Sequence, residues 1–284
     1  MKKYNVVPTL MISLLTSAGA FAAQPNLINT DHVALGTAAE ATGTSSTAIG
    51  RNTKAQELSS AAFGDSAISA NWGATAIGRS SQAKADNSIA VGSMAVTEGR
   101  EATALGRRSY AGAQSATALG TLANAGAIVS TAVGNAANAS AVQALAIGNE
   151  AKASGSSSIS IGARSNSSGH SAVAIGSSSA ASSFGAVSIG MNSQATAGLS
   201  TAIGYSAKAT GVNTMAMGRE STATHENSVA LGSYSVSKAE KSVKEATVGG
   251  VTYNGFAGTA PKGTVSVGTT GRERQIVNVA AGEI

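Results

Sequence analysis

The 284-residue sequence predicts an all-β fold, a parallel β-solenoid built from 14-residue coils. Four observations carry this expectation. Glycine recurs every 14 residues without a slip from Gly36 to Gly232, fifteen times in all, which composition alone does not produce. A large apolar residue precedes each of these glycines, as in Leu35, Ile49, Phe63, Leu105, Ile175 and Leu231. One place earlier the residue is Ala, except at Ser160 and Ser188. Finally, 4% of residues are aromatic and 12% charged, so large core-formers are scarce and a thick two-layer core is unavailable. A disordered low-complexity chain has a similar composition but no fixed spacing of its aliphatic residues.

The elements of one coil follow from the pattern. Residues such as Val33, Thr47, Thr75, Ile89, Val173 and Val229 stand two places before the large aliphatic. Together with the intervening Ala they form a short strand whose side chains alternate between faces. The glycine ends it by taking a backbone angle that other residues avoid. Small residues three and five places after the glycine mark a second strand, as in Ala123 and Ala125, Ala137 and Ala139, or Ala207 and Ala209. The large aliphatics are expected to face inward and pack on these small residues, filling a narrow interior. The Ala of the first strand then faces outward, and its restriction to Ala or Ser implies that another backbone comes close. Fifteen coils at about 4.8 Å each make a rod of roughly 70 Å. A single coil cannot bury its apolar edge, so stability grows by stacking.

The N-terminus carries Lys2 and Lys3, an apolar stretch from Val6 to Leu15, and Ala20-Phe21-Ala22, which fits a cleaved secretory signal over residues 1–22. The apolar run is short for a membrane span. The sequence has no cysteine, so an exported chain would draw no stability from disulfides. The formal net charge is +5, and it falls to +3 once Lys2 and Lys3 leave. The basic residues are scattered, which gives no footprint for nucleic acid.

Catalysis needs converging titratable groups, and few are offered. His32, His170 and His225 lie in different coils at different repeat positions. No HExxH, cysteine ligand set, nucleophile elbow or GGxGxD calcium repeat occurs, so no enzyme, metal, cofactor or small-molecule substrate is expected. GTAPKGT at 258–264 lacks the order of a phosphate-binding loop. Thr47, Thr75, Thr103, Thr117, Thr131 and Thr201 share one repeat position, as in ice-binding solenoids, but alternate irregularly with Val, Ile and Met. Burial is their expected fate.

What remains is a long surface for multivalent contact. Arg51, Arg79, Arg107 and Arg219 each follow a repeat glycine, and Arg108 adjoins one of them, giving a column that could meet acidic groups. Trp72 and Tyr110, placed in turns, are candidate aromatic anchors.

The units NSIAVG (Asn87 to Gly92) and NSVALG (Asn227 to Gly232), with STAIGR (Ser46 to Arg51), ATAIGR (Ala74 to Arg79) and NTMAMGR (Asn213 to Arg219), resemble the head repeats of YadA-like trimeric autotransporter adhesins. VSVGTTGRERQIVNVAAG, from Val265 to Gly282, is similar to the neck that follows such heads. The resemblance implies a left-handed parallel β-roll head over residues 23–232, three chains around one axis, and a neck over 263–284 that clasps the trimer through Arg272, Glu273, Arg274, Gln275, Ile276 and Asn278. The stretch 233–262 resembles the inserts near such necks. Within it ATVGGVTYNGFAG, from Ala246 to Gly258, reads as a hairpin with a Gly-Gly turn.

Family heads bind collagen, fibronectin or laminin and mediate autoagglutination at the bacterial surface. NSVAIG-type repeats are linked to collagen, and the full pattern is kept only at Asn87-Ser88 and Asn227-Ser228 with the residues that follow each pair, which makes these four candidate contacts. The family's stalk and outer-membrane anchor have no counterpart before Ile284. The expected function is therefore a surface-displayed, homotrimeric matrix adhesin. The alternative is a passive fibre or spacer without a ligand.

Overall fold

A computed structural model describes residues 28–29 and 31–280, so the expected signal segment and the last four residues of the neck lie outside the described residues. The protein is all-β. Each 14-residue coil contributes one strand just before its glycine, such as Thr103–Leu105, and one after it, such as Tyr110–Ala111. Strands of like position stack in parallel with a register of 14: Thr103 faces Thr117, and Tyr110 faces Asn124. The first strands, extended by Ile28–Asn29 and Val265–Ser266, make a 17-stranded sheet and the second strands a 14-stranded sheet. At the start, Ile28–Asn29 pairs antiparallel with His32–Leu35.

The interior reverses the expected facing. Ala48, Ala62, Ala76, Ala104, Ala118 and Ala132 of the first strands have no exposed surface, and neither do Ala55, Ala83, Ala111, Ala125 and Ala139 of the second. Serines fill other rungs and bond one another, as Ser160 does with Ser165 at 2.7 Å and Ser188 with Ser193 at 2.7 Å. The large aliphatics instead point outward: Leu105 is 43% exposed and Ile77 41%. The threonines of the same strands, Thr103 and Thr117 among them, stand partly exposed beside these aliphatics rather than buried. The physical reason is space. With only two short strands per coil the interior is a narrow slot, and the residues buried in it are Ala, Ser and an occasional Thr. The restriction to Ala thus reflects the opposite strand of the same chain and not a neighbouring chain.

The repeat glycines are set by close approach as well as by angle. From Gly36 to Gly218 their φ values lie between +125° and +137°. An added Cβ would meet the next repeat glycine's carbonyl group at 2.2 to 2.8 Å. Each coil also contains left-handed residues two and nine places after the glycine, such as Leu122 (φ 59°) and Val129 (φ 56°). Their amides are bonded to the previous coil, Leu122 to the Arg107 carbonyl and Val129 to that of Gln114, both at 3.0 Å. Stacking therefore imposes a conformation that a β-branched residue would not choose.

After Gly232 the ladder is interrupted. Glu245–Val248 and Val251–Asn254 form an antiparallel hairpin across Gly249 and Gly250, with Val248 opposite Val251 and Ala246 opposite Tyr253. The chain then rejoins the solenoid, where Val265–Ser266 pairs in parallel with Val229 and Ala230.

Candidate functional site

An open depression of about 410 Å³ lies at the neck, lined by Lys238, Glu273, Arg274 and the stretch 264–270. Among the described residues no three His, Cys, Asp or Glu side chains gather as a metal site. His170 stacks on Phe184 at 5.7 Å, and His225 Nδ1 lies 3.1 Å from Thr224 Oγ1. Long repetitive surfaces are what the fold offers along its length.

Because coils stack in register, each repeat position becomes a column along the rod. Arg51, Arg79, Arg107 and Arg219 do lie in one column, but several of its members partner each other. Arg51 Nη2 meets Asp65 Oδ2, 14 residues on, at 2.6 Å. The hydrogen bonds from Arg51 and Ser66 hold the Asp65 carboxyl below its usual range, with Arg79 adding to the effect. Asn149 donates to Asn135 at 3.2 Å in the same column. Arg219 lies 5.8 Å from the Tyr205 ring and pairs with Glu220 at 3.2 Å. Arg107 and Arg108 are exposed and enter no ion pair among the described residues.

Three further ion pairs repeat the 14-residue spacing: Lys54 with Glu40 at 3.2 Å, Lys84 with Glu98 at 2.9 Å, and Arg100 with Asp86 at 3.8 Å. Tyr110 belongs to this network and not to a turn, which corrects the sequence expectation. It opens the strand Tyr110–Ala111, and its hydroxyl donates to Glu98 Oε2 at 2.7 Å. Tyr110 first, then Lys84, lowers the Glu98 carboxyl below the usual glutamate range, and the same bond raises the Tyr110 phenol. A depressed carboxyl stabilises the fold above its unfolded-state value, and that contribution is lost as pH falls through the folded value. Glu98→Gln is accordingly expected to make thermal stability less steeply dependent on pH on the acid side of about pH 4.3, the ordinary glutamate value. An unaltered acid limb in circular dichroism melts would remove this role for Glu98.

The remaining candidates separate by face. Trp72 sits in a turn and is 50% exposed. It lies on an edge column that sequence reasoning missed, eight places after each glycine, where Leu58, Ile128, Val142, Phe184 and Val212 are likewise exposed. The irregular alternation of polar and apolar residues there gave no periodic signal. Asn87 and Asn227 are exposed and left-handed, with φ of 53° and 56°, a conformation asparagine tolerates. Ser88 and Ser228 are fully buried, the first bonding the Ala85 carbonyl at 2.7 Å and the second accepting from the Thr264 amide at 3.1 Å. Interior packing removes both serines from any contact surface. In the neck, Arg274 and Arg272 fold back on the last coil, and Glu273 accepts from the Gly271 amide at 2.9 Å. Gln275, Ile276 and Asn278 are exposed, Asn278 with a φ of 60°.

The family profile described as YadA head domain repeat (2 copies) matches residues 33–53, 41–67, 73–95, 98–127, 130–151, 153–179, 195–216 and 209–235, more than half of the chain. Autotransporter adhesin BtaE from Brucella suis biovar 1 (strain 1330) is 58% identical over 43 residues, which is 15% of this chain and 6% of that protein. The match thus spans a small part of that relative's length. The C-terminal YadA-like domain of BPSL2063 from Burkholderia pseudomallei is 48% identical, covering 27% of this chain and 36% of that one, with a TM-score of 0.25. The collagen-binding domain of Yersinia adhesin YadA covers 90% of both chains at 19% identity with a TM-score of 0.23. With head repeats recognised from residue 33 to residue 235, the chain belongs to the YadA-like trimeric autotransporter adhesins.

Proposed function

We propose that this chain is the head and neck of a homotrimer displayed at the bacterial cell surface, where it attaches cells to collagen, fibronectin or laminin and to each other in autoagglutination. The observation that carries the reading is the outward ladder of large aliphatics. Ile49, Ile77, Leu105, Leu119 and Leu231 are each 37% to 44% exposed along one face of the rod. A continuous apolar strip of that length exceeds what a soluble monomer leaves open. Three such faces turned toward a common axis cover it, which leaves the polar columns and the edges for ligands. Weak contacts repeated over many coils and three chains then add up without a deep pocket.

The purified chain is expected to sediment as a trimer and to bind at least one of the three matrix proteins in a solid-phase assay. Leu105→Glu with Leu119→Glu should give a monomer whose apparent affinity is lower by about 100-fold, since avidity is lost. A trimer that binds none of the three would overturn the matrix assignment. The four ion pairs between like positions of adjacent coils favour a second reading, a passive spacer whose charges serve the rod alone. Arg79→Ala with Arg107→Ala leaves a spacer unchanged and weakens an adhesin that uses the arginine column.

A further inference from the structure

The last coil has no complete successor: Val265–Ser266 covers its first strand, and the stretch beyond Gly232 is not left open either. In earlier coils the carbonyl just after the glycine accepts from the left-handed residue of the next coil. Tyr205 thus accepts from the Glu220 amide, and Arg219 from the Tyr234 amide, both at 2.8 Å. The corresponding carbonyl of the last coil, that of Ser233, accepts instead from Arg274 Nη2 at 2.6 Å. Arg274 Nη1 donates to Ser235 Oγ at 3.1 Å and to the Val267 carbonyl at 2.5 Å. A similar exchange appears above the glycine. Earlier repeat glycines are covered by the carbonyl group of the next one, whereas a Cβ on Gly232 would meet Arg274 Cζ at 3.0 Å. Beside it, the Arg272 guanidinium lies 3.8 Å from the centre of the Tyr234 ring, on the same last coil.

We propose that Arg274 is the end cap of the solenoid: its guanidinium takes the place of the backbone that a further coil would bring, and so fastens the neck to the head in fixed register. The planar fork suits the task, because it reaches several acceptors at once from a fixed geometry. An unpaired β-edge would otherwise expose carbonyls that fray or recruit another chain. The cap works within one chain, so it is separable from the assembly of three.

Hydrogen exchange read by mass spectrometry on the full chain tests this. Arg274→Gln is expected to speed exchange of the amides at 229–237 by about tenfold, the loss of one charge-assisted bond, and to leave those at 103–111 unchanged. Arg274→Lys keeps the charge but not the fork and should give an intermediate acceleration, which also serves if the glutamine variant does not fold. Ile276→Ala is the control for trimer weakening, since Ile276 is 69% exposed. Unchanged exchange at 229–237 in both Arg274 variants would overturn the proposal. So would an equal acceleration there in Ile276→Ala, because the effect would then belong to assembly.

Discussion

Replacing Ala118 by leucine is expected to destabilise the central coils by about 3 kcal/mol or more, the upper end of what overpacking does. Ala118 has no exposed surface and lies in a continuous buried cluster with Ala104, Ala132, Ala123 and Ala125. Three extra carbons have no slot to enter, and the backbone ladder above and below prevents the two strands from separating locally. The neighbouring residue provides the contrast. Leu119 points outward at 40% exposure, so Leu119→Ala should leave the coil's own hydrogen bonds intact and affect only what covers that face. Thermal melts by circular dichroism, compared with sedimentation, separate the two effects. A melting temperature for Ala118→Leu close to that of the unaltered chain would mean that the interior is looser than its burial indicates.

Gly134→Ala should be at least as damaging, by about 3 kcal/mol or more, because two penalties coincide. The φ of +131° lies in a region that side chains rarely enter. The new Cβ would also stand 2.5 Å from the Gly148 carbonyl oxygen, where only backbone could yield. Gly198 is the control, since a Cβ there meets nothing within 4 Å. Gly198→Ala is expected to be neutral or slightly stabilising, by about 0.5 kcal/mol, through the stiffer unfolded chain. Equal urea midpoints for the two variants would remove the stacking argument for the repeat glycines.

The period of the solenoid, its two strands per coil and the Gly-Gly hairpin were legible because each leaves a local mark at a fixed spacing. Which face lies inside was not. Alternation in a strand defines two faces without saying which is core, and the ordinary preference for large residues inside fails in a coil too thin to hold them. The telling signal was variability. Leu, Ile, Val, Phe and Met exchange freely just before the glycine, as an open face allows, while the preceding place admits Ala or Ser alone, as a tight slot demands. The left-handed positions were hidden for another reason. Leu122, Val129 and Leu199 carry no turn-forming chemistry, and their angles come from coils 14 residues away. The return of Arg274 to Ser233, 41 residues earlier in the chain, lies beyond any local pattern.

The 14-residue bonds between like positions, from Arg51 to Asp65 and from Asn149 to Asn135, make the rod modular. Excising one whole rung, or duplicating one, shifts the reach of the tip by about 5 Å and rejoins surfaces of the same kind. Trimming by any other length would put glycines over side chains. A lineage carrying such a rod can therefore gauge the distance between cell and target in discrete steps, without redesigning either end.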